Sequence, residues 1–201
     1  MLVKKIMSAN VVTISVEAGL QEAAALMKEF DIRHLPVMEH GKLIGLVTER
    51  DVQGAFFPAM LEDIGVRDLM VADPITVSPD TMLEDAARLI YRHKIGCLPV
   101  VDDEGCVVGI VTVADLLAAL IEVMGFLFAS SRLDVILPSR PEALEEACRI
   151  IGREGGRIIG VSMTQLRQNQ QTHLFRLHKT ELGMIEKSLE SAGFQVVSAL
   201  P

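Results

Sequence analysis

Two threonine–aspartate pairs offer most of the chemistry in this sequence. Thr48-Glu-Arg-Asp51 and Thr112-Val-Ala-Asp115 share the spacing T-x-x-D, and each follows the same apolar ending, Gly45-Leu-Val and Gly109-Ile-Val. Where a strand ends and a helix begins, the first amides point outward with the positive end of the helix dipole, a setting that suits phosphate or a ribose-phosphate edge. The threonine hydroxyl can bond a phosphate or sugar oxygen. An aspartate one turn into the helix can accept from both vicinal hydroxyls of a ribose, as in dinucleotide-binding folds. The same spacing also makes an N-cap with an acidic first turn, so a single copy does not separate a ligand site from a cap. Two copies in register favour the ligand.

The copies differ where a ligand would be touched. Arg33, His34 and Arg50 in the first become Gly96, Cys97 and Ala114 in the second, while Lys4 and Lys5 become Arg67 and Asp68. Cations thus gather on the first cleft, which is expected to take phosphates; the second is expected to bind more weakly, to stay vacant or to take a less charged group. The alternative is that Arg33 and Arg50 are solvated charges at helix ends. His34, His40, His93, His173 and His178 show no metal-binding spacing, and no nucleophile motif accompanies them. Cys97, Cys106 and Cys148 are scattered and read as buried reduced thiols, with no metal site. No catalytic residue and no required cofactor emerge, so an enzyme is not expected.

The elements that must position these residues repeat. Residues 6–52 recur over 69–116, with Met7 matching Met70, Thr13 matching Thr76, and Ile32-Arg-His-Leu-Pro-Val37 matching Ile95-Gly-Cys-Leu-Pro-Val100. One inserted residue, in the turn Asp102-Asp-Glu-Gly105, is the only break. Each copy reads as a short strand (11–15, 75–78), then a helix with apolar positions at i, i+3, i+4 and i+7 from Leu20 or Leu83. Thr81 and Glu84 have the spacing of a capping box for the second of these helices. Two strands joined by a glycine turn follow (35–38 with 43–47, 98–101 with 107–111), and a second helix starts at Thr48 or Thr112. A unit this small cannot bury its own sheet and helices, so the copies should pack about a pseudo-twofold axis.

The β-α-β-β-α order, the L-P-V strand, the G-h-V-T strand end and the T-x-x-D helix start resemble a tandem pair of cystathionine-β-synthase (CBS) motifs, the Bateman module. The resemblance covers about residues 1–123, taken as motif 1 (1–62) and motif 2 (63–123). It implies that Thr48, Asp51, Thr112 and Asp115 contact the ribose and phosphate of AMP, ADP, ATP or S-adenosylmethionine. It also implies an adenine slot from the first strands, at Thr13 and Thr76, and from the L-P-V edges, at Pro36, Cys97 and Pro99.

Residues 130–201 change pattern. Strands are expected at 133–137, 157–163, 172–178 and 194–198, helices at 142–153 and 181–192, and a polar hairpin at 165–171. This β-α-β-β-α-β order is the ferredoxin-like plan and resembles an ACT domain, as in acetoin-utilisation proteins that join a CBS pair to an ACT module. Amino-acid-binding ACT domains carry a glycine where Pro138-Ser-Arg-Pro-Glu-Ala-Leu144 has Glu142, so pairing is expected here rather than amino-acid binding. The fold class is therefore α+β throughout.

Of 201 residues half are apolar, and the net charge is -8. That field repels nucleic acid and anionic membranes, so neither is an expected partner. The longest apolar stretch, 116–129, contains Glu122 and Gly125 and is shorter than the roughly 20 residues of a membrane helix. No targeting segment is read, and a cytoplasmic regulatory protein is expected. Phe56, Phe57, Met60 and Leu61 read either as a homodimer face or as core. The regulated activity would belong to a partner enzyme. A structural oligomerisation module without ligand is the other reading.

Overall fold

A computed structural model describes residues 1–55, 64–125, 129–166 and 170–201. The chain divides into two units, Met1–Ala119 and Leu120–Pro201. Phe56, Phe57, Met60 and Leu61 lie outside the described residues. No described helix is long and apolar enough to cross a membrane.

The first unit holds the repeat as far as Ala119, within its last helix. Its first copy has β1 (Ile14–Ser15), α1 (Leu20–Glu29), β2 (His34–Glu39), β3 (Lys42–Thr48) and α2 (Glu49–Ala55). The second opens with a one-turn helix, α3 (Val66–Leu69), and β4 (Val71–Ala72), followed by α4 (Leu83–His93), β5 (Cys97–Val101), β6 (Val107–Thr112) and α5 (Val113–Val123). The expected i, i+3, i+7 stripe buries Leu20, Ala23 and Met27 of α1, and Ala86 and Ile90 are buried in α4. The leading strand expected at 75–78 shrinks to one parallel bridge, Val77 to Val100, which copies the β1–β2 pair Ile14 to Val37. The expected capping box at Thr81 and Glu84 does not form. Met82 is the cap residue of α4, so Thr81 stands one position too early, and its Oγ1 accepts the Ser78 N–H at 3.1 Å to close the preceding turn.

Each copy lends its leading segment to the other. β4 pairs with β3 of the first copy, Val71 opposite Leu46, while Ser8 bridges Ile110 of the second copy in the matching place. Val66 is buried in the core of the first copy with Val37 and Val47, and Val3 is buried in that of the second with Val100 and Val111. The Val66 N–H donates to the Ala18 carbonyl at 3.0 Å and the Val3 N–H to the Thr81 carbonyl at 2.9 Å. Met70 lies on Gly45 and Met7 on Gly109 so closely that a Cβ at either glycine would collide with the thioether. The expected pseudo-twofold pairing is thus built by reciprocal exchange.

That exchange corrects one expectation. Lys4 pairs with Asp80 of the second copy at 2.6 Å, and Arg67 pairs with Glu17 and Glu39 of the first at 3.0 and 2.6 Å. Lys4 therefore adds no charge to a cleft on the first copy, because its segment sits on the other one.

The second unit runs β7 (Ser130–Ile136), α6 (Ala143–Arg153), β8 (Ile158–Leu166), β9 (Gln170–His178), α7 (Gly183–Ser191) and β10 (Gln195–Leu200). The strands form one antiparallel sheet in the order β10-β7-β9-β8, the ferredoxin-like arrangement. Leu133, Val135, Phe175 and Leu177 of the sheet pack on Ala147, Ile151, Ile185 and Leu189 of the helices. β8 and β9 extend into the stretch expected as a polar hairpin, with Gln165 opposite Gln171. A backbone ladder can continue where side-chain alternation has stopped, which is why the strands run longer than their apolar pattern.

Candidate functional site

A cleft of about 950 Å³ opens in the first unit, and both copies border it. The leading segment contributes Ser8, Asn10, Val11 and Val12; the approach to β2 contributes Asp31, Ile32, Arg33 and His34; the start of α2 contributes Thr48, Glu49 and Arg50. Across from them stand Gly96, Ile110, Thr112, Val113, Ala114, Asp115 and Leu117 of the second copy. The antiparallel bridge from Ser8 to Ile110 explains why residues 10–12 border this cleft beside Thr112.

Both helix starts are closed by the same bonds. Asp51 Oδ2 accepts from the Thr48 N–H at 2.9 Å and from Thr48 Oγ1 at 2.6 Å, and Thr48 Oγ1 accepts the Asp51 N–H at 3.3 Å. In the second copy the corresponding distances for Thr112 and Asp115 are 2.8, 2.7 and 3.3 Å. The Glu49 N–H donates to the Arg33 carbonyl at 2.9 Å and the Val113 N–H to the Gly96 carbonyl at 3.1 Å. A hydroxyl has one proton, and here it is given to the aspartate. In this arrangement the threonine oxygens can accept from a sugar hydroxyl, while donation to a phosphate would require the hydroxyl to turn away from the aspartate. The cap bonds fall on Oδ2 alone, so Oδ1 of Asp115 is outside the cap in a residue that borders the cleft. The first-turn amides outside these bonds are those of Arg50 and Ala114.

Six of the expected site residues meet at this cleft: Arg33, His34, Thr48, Arg50, Thr112 and Asp115. Thr13, Pro36, Asp51, Thr76, Cys97 and Pro99 are not in its lining. Pro36 and Pro99 are buried within β2 and β5, and the Pro99 carbonyl already accepts the Val77 N–H at 3.1 Å. Cys97 is 2% exposed, and burial pushes its thiol up to about 12, so it stays protonated. Charge in the cleft is mixed, because Asp31 and Glu49 join Arg33 and Arg50. His34 is held below the ordinary histidine value by burial first and by Arg33 second, with Asp51 and Glu49 pulling the other way. Sequence reasoning passed over Ser8, Asn10 and Asp31; the exchange of leading segments leaves no local mark beyond the glycine and methionine at matching places. Among the described residues no cluster could hold a metal ion.

Comparison with known proteins bears on the same region. The family model "CBS domain" matches residues 3–57 and 66–122, more than half of the chain. Inosine-5'-monophosphate dehydrogenase of Korarchaeum cryptofilum is 42% identical over 106 residues, 53% of this chain, and the chain spans only 21% of that enzyme. The CBS domain-containing protein YhcV of Bacillus subtilis is 38% identical over 116 residues, 57% of this chain and 81% of that protein. Among solved structures, the CBS domain pair of protein MJ0100 in complex with 5-methylthioadenosine and S-adenosyl-L-methionine matches at TM-score 0.56 and 33% identity, covering 60% of this chain and 95% of that one. CBSX2 in complex with AMP matches at TM-score 0.55 and 30% identity, covering 61% and 98%. A candidate acetoin utilization protein (AcuB) from Vibrio cholerae matches at TM-score 0.56 and 31% identity, covering 63% and 94%. The two matched segments are the two halves that meet at the cleft, and on that ground the chain belongs to the CBS-domain family.

Proposed function

We propose that this chain is a regulatory sensor that binds an adenine nucleotide in the cleft between its two CBS motifs. The observation that carries this reading is the convergence of apolar walls and charged groups from both copies on one cleft, where Asp115 of the second copy lines the same space as Arg33, His34 and Arg50 of the first, with Asp31 and Glu49 beside them. In it Val11, Val12, Ile110 and Leu117 flank the adenine, Asp115 Oδ1 accepts from the ribose, and the cationic side takes phosphate. Thr48 and Asp51 hold the start of α2 in place. The solved CBS pairs that contain AMP or S-adenosyl-L-methionine support the choice of AMP, ADP, ATP or S-adenosylmethionine as ligand. The matching residues of the second copy, Gly96 and Ala114, border the same cleft and add no charge to it, so the phosphate is taken on the side of Arg33 and Arg50.

A ligand that touches both copies favours the relative arrangement that closes the cleft, and this shift of population is the signal. The responding activity belongs to a partner enzyme in the cytoplasm, and the likeness to AcuB points toward acetoin or central carbon metabolism. We take the limits of the parts as 1–62, 63–123 and 130–201, the last an ACT-like module. Glu142 there has φ -84°, ordinary for any side chain, and the module serves homodimer formation rather than amino-acid capture.

A structural module without ligand is the second reading, favoured by the two complete Thr–Asp caps. Thermal melting decides between them. AMP, ADP, ATP or S-adenosylmethionine at about 100 times its dissociation constant adds about 2.7 kcal/mol of stability if the cleft binds it. No shift with any of the four leaves the structural module.

A further inference from the structure

His34 opens β2 and stands opposite Thr48, the residue that caps α2. Its ring reaches the second copy, because a Cβ on Gly96 would lie 2.6 Å from Nε2; the ring has its place only while position 96 is glycine. No described residue supplies a hydrogen bond to either ring nitrogen. Arg33 just before its strand and Glu49 and Asp51 on α2 act on the ring, the facing loop of the second copy brings the uncharged Gly96, and Asp31, Arg50 and Asp115 border the same cleft. Burial and Arg33 together outweigh the two acids and keep the imidazole below its ordinary 6.5, so the ring is neutral at neutral pH without ligand. A nucleotide phosphate changes this balance. It carries a charge of about -1.5 to -2 and offers acceptor oxygens to a ring whose two nitrogens both donate once protonated.

We propose that His34 makes the cleft selective for phosphorylated adenosine compounds by taking up a proton as the phosphate arrives beside it. The inference rests on the nucleotide reading above. Adenosine brings no charge and leaves the ring neutral. The sign follows from linkage: His34 holds its proton more tightly in the complex than in the unliganded chain. Between those two values AMP affinity falls as pH rises, by up to about tenfold per pH unit, while adenosine affinity stays flat. Above about pH 7 the phosphate is itself largely a dianion, so a trend there belongs to the protein.

Titration calorimetry of the full chain near neutral pH, in two buffers of different ionisation heat, reads the proton directly. Net proton uptake is expected with AMP, none with adenosine, and the AMP-linked uptake disappears in His34→Gln. Gly96→Ala displaces the ring without altering its chemistry and is expected to reduce the uptake. AMP binding without uptake, or with undiminished uptake in His34→Gln, overturns the role of His34 and leaves the nucleotide reading standing. Absence of AMP binding to the unmodified chain overturns both.

Discussion

Asp51 and Asp115 occupy matching places in the repeat and make the same cap bonds, yet only Asp115 borders the cleft. The two substitutions to alanine therefore separate capping from recognition. Loss of an acidic cap costs about 1 kcal/mol in either case. Asp51→Ala is expected to lower the melting temperature while AMP affinity stays within about threefold, as suits an acid that acts on α2 and not on the ligand. A tenfold or greater loss of AMP affinity in this variant would move the ribose contact to the first copy. The threonines show what residue type alone leaves open: their hydroxyls suit a phosphate oxygen in principle, and without ligand each donates instead to the aspartate three residues on.

At the scale of elements, the exchange of leading segments determines which parts form one site. It makes a specific prediction about Val3 and Val66, both fully buried, each in the core of the other copy. Val3→Ala should cost about 1.5–3 kcal/mol and speed hydrogen exchange in β5 and β6, far along the sequence, whereas Val66→Ala should speed it in β2 and β3. Exchange confined to the segment around each substitution would contradict the swapped arrangement. Most elements were legible because periodicity is local: the stripe in α1 and α4 and the glycine-separated strand pairs follow from residues a few positions apart. The swap was not legible, because pairing of Ser8 with Ile110 depends on contacts about a hundred residues away. For the same reason the sequence alone sets Lys4 on the wrong copy, and Val11 and Val12 can be read as strand but not assigned to the cleft beside Thr112. The capping box at Thr81 failed on a smaller scale, since a shift of one residue turns the hydroxyl back toward Ser78.

For the whole molecule, duplication supplies the frame and divergence between the copies supplies the site. A symmetric pair would present the same groups at both positions; here the first copy brings Arg33 and Arg50 with His34, Asp31 and Glu49 to the cleft, while the second brings Gly96, Ala114 and a single acid, Asp115. A ligand with a sugar at one end and a phosphate at the other fits that polarity, and its binding ties the copies together. Titration calorimetry of AMP into the full chain and into its Asp115→Ala variant tests this most directly. The account predicts saturable binding to the unmodified chain and at least about tenfold weaker binding to the variant, the size expected for losing hydrogen bonds to a charged group. Equal affinity in the two proteins, or no binding to either, would contradict it.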